Sequence, residues 1–225
     1  MHLHLGETDH DRVTAAVAKA EKDTDGEIVT IVARQSDAYH DAGLHWAVGA
    51  TFLGLSLAAA FPAHLRALAS RLLNGWGHDL PDWQVLTVLL GLLILLFLLV
   101  RYALAWTPLR MALTPAATKT RRVHRRAMAL FRAVAQGRTR GRTGVLIYLS
   151  LDEHRAEIVA DSAINEKVSA ETWGAAMAAL VDAVRGGRPG DGMAAAVEQV
   201  GVVLAAHFPK SHDNPNELPD RLIEI

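Results

Sequence analysis

Two hydrophobic periods alternate along the chain, and a third pattern interrupts them. Residues 144–150, GVLIYLS, form a nearly continuous apolar run, the mark of a strand covered on both faces. Residues 155–160 alternate instead, with Ala156, Ile158 and Ala160 on one side and Arg155, Glu157 and Val159 on the other. Asp152-Glu153-His154 is the polar turn between them, so residues 143–161 read as a hairpin. Two strands are marginal alone and need a third. Residues 27–33, EIVTIVA, are β-branched and apolar and supply it.

The remaining soluble segments carry helical spacing. In residues 8–22, Val13, Ala16, Val17 and Ala20 share a face, with Thr8 or Asp9 as the expected cap and Asp23-Thr24-Asp25-Gly26 as the stop. Residues 34–41 read as a polar connection. Residues 116–136 place Val123, Ala127, Leu130 and Val134 on one face and basic residues elsewhere. After a polar loop at 162–168, Ser169 is the expected cap of a helix with the face Trp173, Met177, Leu180, Val181 and Val184, ended by Gly186-Gly187. Asp191 is the expected cap of the last helix, whose face runs Met193, Val197, Val200, Leu204 and stops at Phe208-Pro209. The tail, 210–225, is polar until Leu222-Ile223.

The interruption is two uncharged runs. Residues 43–61 are apolar but soft, with His45, Thr51 and Ser56. Residues 83–100 contain VLLGLLILLFLLV, apolar all round, and the span they predict runs to about residue 104 with Arg101 near its end, where its stem can reach the interface. Each approaches the roughly 20 residues that cross a bilayer core. Trp83 and Trp106 bracket the second run, ~35 Å apart along a helix, and Trp46 stands near the start of the first. The linker 62–82, with Arg66, Arg71 and Gly75-Trp76-Gly77, suits either a short interfacial helix or an exposed loop.

Neither soluble flank has a complete core. Joined, they predict an α/β domain: a small three- to four-stranded sheet with helices on both faces, interrupted by a two-helix transmembrane hairpin. The expected organisation is one discontinuous domain of residues 1–42 and 107–209, a hairpin at 43–106, and a tail at 210–225. Joining requires both flanks on one side of the membrane, which two spans allow and one does not.

Charge distribution changes this picture more than composition does. The formal net charge is −1, yet residues 84–150 contain no Asp or Glu. Residues 119–142 hold Lys119, Arg121, Arg122, Arg125, Arg126, Arg132, Arg138, Arg140 and Arg142. The basic excess after the second span predicts a cytoplasmic domain with both termini inside and a short outside loop. Beside a span, the run predicts attraction to anionic lipid headgroups rather than to nucleic acid. The chain has no cysteine, which excludes disulfides, thiolate catalysis and thiolate-bound zinc. The polar, acidic start lacks the pattern of a signal peptide.

The ordered set TDGEIVTIVA, a pair of spans, GRTGVLIYLSL, EHRAEIVAD, INEKV and GDGMAAAVEQVGVVLAAHFP resembles the TPM domain family, over roughly residues 8–36 and 116–209. It is closest to bacterial membrane members with a hairpin of spans after the first strand, which implies a place in a bacterial cytoplasmic (inner) membrane. The resemblance implies an α/β sandwich. It also implies mixed roles: assembly or repair of photosystem II, modulation of a receptor channel, and a proposed acid phosphatase activity with calcium-type binding in some members. Many members have glycine where Asp161 stands, and most carry an N-terminal signal.

Candidate chemistry concentrates after the hairpin. Asp161, Asn165, Glu166 and Glu171 follow one another closely, and Asp191 begins a helix expected nearby. Oxygen ligands of this kind suit Ca²⁺ or Mg²⁺. The alternative is that they cap helices and face water. Asp23 and Asp25 end another helix. His2, His4 and His10 sit together near the N-terminus, and His124 and His154 on expected exposed positions. There is no P-loop, nucleophile elbow or dinucleotide glycine pattern. The expectation is a membrane-tethered, non-enzymatic interaction or assembly module with an unidentified membrane protein partner. The alternative is a metal-dependent phosphatase-like hydrolase at the membrane.

Overall fold

The computed structural model describes residues 5–73, 80–211 and 215–225. Two compact units are present, one of Met1–Asp37 with Ala116–Ile225, the other of Ala38–Pro115.

The first unit is built on a four-stranded sheet. Strand β1 (Glu27–Ala33) and strand β2 (Gly144–Ser150) are parallel, from Glu27 opposite Gly144 to Ala33 opposite Ser150. Strand β3 (Arg155–Ala160) is antiparallel to β2, and β4 (Ile223–Glu224) is parallel to β1 at Ile31 and Val32, giving the order β3-β2-β1-β4. Every residue of β1 and β2 is buried. Two cores explain those unbroken apolar runs. Ile28, Val32, Val145, Ile147 and Leu149 face one core, with helices α1 (Glu7–Ala20), α8 (Gly174–Arg185) and α9 (Pro189–His207). Val29, Ile31, Ala33, Leu146 and Tyr148 face the other, with α6 (Ala116–Val134). In β3 the expected alternation holds: Ala156, Ile158 and Ala160 pack on the first core and Val159 on the second.

Several local expectations shift. The α1 N-cap is Gly6, and Asp9 reaches back from the first turn to accept the Gly6 N–H at 3.2 Å. The buried face of α6 centres on Val123, Ala127 and Phe131, while Leu130 and Val134 are only partly buried. One helical turn, α7 (Ser162–Asn165), forms inside the expected polar loop, because Ile164 and Val168 enter the first core. A 3-10 turn, Ala170–Trp173, precedes α8. Asp191 lies in the first turn of α9 while Arg188 holds the cap position. The tail is part of the first unit: Leu218 and Leu222 are buried, and β4 extends the sheet.

The second unit contains α2 (His40–Ala60), α3 (Pro62–Leu72), α4 (Asp82–Ala103) and α5 (Thr107–Leu113). Helices α2 and α4 are each long and apolar enough to cross a membrane. They pack together where Gly54 lets Leu93 and Leu96 approach; a Cβ there would lie 3.0 Å from Leu96 Cδ2. Arg110 of α5 is buried and donates to the Leu104 carbonyl at 3.1 Å, so its guanidinium covers the C-terminus of α4. Part of the linker expectation is met by α3; Gly75-Trp76-Gly77 lie outside the described residues.

Candidate functional site

The sheet's free edge and the end of α6 form an open groove of about 370 Å³. Met128 and Phe131 of α6, Ile158 and Val159 of β3, and Asp161 and Asn165 beyond it are among its lining. His124 lies at its mouth, with Nδ1 3.3 Å from Glu157 Oε2.

Asp161 is 5% exposed. Its Oδ1 accepts the Ser162 N–H at 2.7 Å, capping α7, and its Oδ2 accepts the Gly137 N–H at 3.0 Å. Gly137 turns the chain out of α6 at φ +65, a conformation that favours glycine. Asp161 therefore ties the end of α6 to the end of β3. Asn165 donates from Nδ2 to the Ala160 carbonyl at 2.7 Å, closing the last position of the β3 edge. Glu166 is exposed and ends α7. Asp191 pairs with Arg12 of α1. Thus Asp161 and Asn165 line one groove, whereas Asp191 is engaged with α1. Glu171 is held below the usual carboxylate range, first by its own backbone N–H and then by the Ser169 hydroxyl, as a helix-start acid is. Among the described residues no three His, Cys, Asp or Glu side chains gather to hold a metal ion. His10 pairs with Glu224 at 3.1 Å, and His2 and His4 lie outside the described residues.

Two further polar clusters escaped sequence reasoning. At the start of β1, Glu21 and Glu27 are buried beside a cavity of about 170 Å³ that Lys210, Asn216 and Asp220 also line. Glu21 Oε1 accepts the Ile28 N–H at 2.7 Å. Glu27 Oε2 accepts the Leu218 and Glu217 N–H groups at 3.2 and 3.3 Å. Burial, reinforced by the neighbouring Glu27 and Asp220 carboxylates, pushes Glu21 up to about 8 against the Ile28 N–H and Lys210. Burial likewise raises Glu27, opposed by its two backbone donors. At the other end of β1 and β2, Glu153 is buried and accepts from the Ser36 N–H at 2.7 Å and from the Ser150 hydroxyl. The Ser36 and Tyr148 hydroxyls are 2.9 Å apart, and burial raises the Tyr148 phenol. The signal for Glu27 was present: an acid opening a run of buried β-branched residues needs a partner. Its partners come from the tail, about 190 residues away in sequence, which no local pattern reveals.

Residues 107–203 match the family model described as the TPM domain. The match leaves out α1 and β1, although β1 is central in the sheet. Among solved structures, the NMR structure of BA42 protein from the psychrophilic bacterium Bizionia argentinensis is similar at 18% identity and a TM-score of 0.55. That likeness covers 98% of this chain and 95% of BA42, and it bears on the fold alone. No curated protein matches the chain significantly.

Proposed function

We propose that the chain is an integral-membrane TPM-domain protein whose α/β unit is an interaction or assembly module held at the cytoplasmic face. One observation carries the membrane part of this reading. Helices α2 and α4 expose large apolar side chains along their length: Phe52 is 64% exposed, Leu53 62%, Leu95 61% and Leu99 63%. Contiguous apolar surface on that scale is unstable in water and stable in hydrocarbon. The pairing of β1 with β2 adds a constraint, since the segments before and after α2–α4 must then lie on one side. The basic segment that follows supports the inside orientation and contact with anionic headgroups.

The module part is supported by the engagement of the acidic residues. Asp161 holds two backbone N–H groups and Asp191 pairs with Arg12, so each already has a structural partner. BA42 contributes its fold to the comparison and nothing about activity.

The absence of native cysteine makes the topology directly testable. Single cysteines at Ser211 in the first unit and Ala67 in α3 are labelled with a membrane-impermeant maleimide. Ala67→Cys should react in intact spheroplasts and Ser211→Cys only after lysis, with both proteins resisting carbonate extraction. Release by carbonate overturns the integral-membrane reading, and the reverse labelling overturns the orientation. Hydrolysis of p-nitrophenyl phosphate by the purified protein, lost in Asp161→Ala but not in a surface control, overturns the non-enzymatic reading.

A further inference from the structure

We propose that the free edge of β3 and the groove beside it are a docking site for an extended acidic segment of a partner protein, which pairs with β3 as a fifth strand. This rests on the interaction-module reading and names the surface and the chemistry of its partner.

The two edges of the sheet differ. On the outer side of β1, Glu21 takes the Ile28 N–H and β4 pairs at Ile31 and Val32. On the outer side of β3, no described strand pairs. The Asp161 N–H donates to the Gly144 carbonyl, so the antiparallel alternation turns the N–H and C=O groups of Ala156 and Ile158 outward. Both residues are only partly buried. At Ala160 the Asn165 amide takes the carbonyl and marks where the open stretch ends. An unpaired edge of this kind is a template for an added strand.

The groove gives that strand's side chains somewhere to go. A strand beside β3 projects every second residue toward α6, over Met128, Phe131 and Val159. The charge beside the groove selects the others. Arg121 and Arg132 are exposed and lie three residues before His124 and four after Met128, on the groove side of α6. They stand ~16 Å apart along the helix, the length of about five strand residues. Residues 119–142 contain no acid to answer them. Neighbouring side chains are otherwise engaged: Arg125 pairs with Asp37 at 3.4 Å, and His124 contacts Glu157. A lipid surface would satisfy the arginines but use neither the backbone edge nor the groove. A peptide uses all three.

The test uses the full chain in nanodiscs of neutral phosphatidylcholine. The probe is a fluorescent ten-residue peptide alternating valine and glutamate. A peptide alternating valine and lysine, and one of five valines followed by five glutamates, are the controls. Ile158→Pro removes an outward N–H without breaking a bond to β2. Arg121→Glu with Arg132→Glu reverses exposed charge and leaves the core untouched. The alternating acidic peptide should bind by anisotropy, slow hydrogen exchange at residues 156–158, and weaken at least tenfold with either variant. Absence of binding, equal binding of the lysine peptide, or binding indifferent to the arginine reversal overturns the proposal. So does arginine-dependent binding to phosphatidylglycerol vesicles without any peptide binding. A protein that resists carbonate extraction and hydrolyses no phosphate, yet ignores the peptide, refutes this surface and leaves the module reading standing.

Discussion

Glu21 makes the stability of the α/β unit depend on pH in an unusual direction. Its carboxyl is raised from 4.5 to about 8 in the folded chain, chiefly by burial. In the unfolded chain it titrates in the ordinary carboxylate range. Between those values the folded state holds a proton that the unfolded state has lost. Stability is therefore full below about pH 4.5, falls as pH rises, and levels off above about 8. At ~1.36 kcal/mol per pH unit, the ceiling is about 5 kcal/mol. Relaxation and water entry at the open cavity reduce it, and about 1–3 kcal/mol is expected. Burial also raises Glu27, which lines the same cavity, so Glu27 adds to the effect in the same direction. Glu21→Gln keeps an acceptor for the Ile28 N–H and removes the charge. Hydrogen exchange of the β1 amides, followed in detergent from pH 5 to 9, reads local stability directly. The wild-type protein should lose protection through that range and the variant should lose 1–3 kcal/mol less, with the two nearly equal at pH 5. Parallel pH profiles, or a variant less stable at pH 9, would refute the reasoning.

Other substitutions test the packing. Thr30 in β1 is fully buried and its hydroxyl has no hydrogen-bond partner among the described residues, so Thr30→Val should raise stability by about 1 kcal/mol in urea denaturation. Asp161→Ala strands two backbone donors and should cost about 1–3 kcal/mol, read as a lower Tm and faster exchange at Gly137. A Cβ on Gly201 would sit 2.6 Å from Ala20 Cβ, whereas one on Gly174 meets nothing within 4 Å. Gly201→Ala should therefore destabilise by about 1–2 kcal/mol and Gly174→Ala stabilise by up to about 1 kcal/mol, compared by thermal melts.

What could be read in advance follows from how each element is specified. Strands β1 and β2 announced themselves because burial on both faces leaves continuous apolar runs. Helices α6 and α9 did so through periodicity, and α2 and α4 through length without charge. Strand β4 was not legible. Two residues after a polar tail carry no period, and they become a strand only because β1 offers an open edge. The groove was half legible. Asp161 and Asn165 stood out as polar residues at a strand end, but their partners are backbone groups, Gly137 N–H and Ala160 C=O. Sequence shows which side chains can donate or accept, not which backbone atoms will face them. Asp191 drew notice for the same reason, and Arg12 on a distant helix determined its role.

The position and form of the inserted unit follow from the sheet. Strands β1 and β2 are parallel neighbours, so the chain must cross over between them, and α6 makes that crossover. Residues 38–115 are inserted between β1 and α6, in the connection of that crossover. Stretching a connection from roughly 6 to roughly 80 flexible residues costs only about 2 kcal/mol in closure entropy, and a folded insertion with neighbouring ends costs less. The sheet is less tolerant of parity. If the inserted helices cross a bilayer, an odd number of crossings would put β1 and β2 on opposite sides and leave Ile28, Val29, Ile31 and Val32 without either core. Two crossings are the smallest number that keeps them together. On that condition the softer of the two apolar helices, α2, is required as a span by a strand pairing that contains none of its own residues.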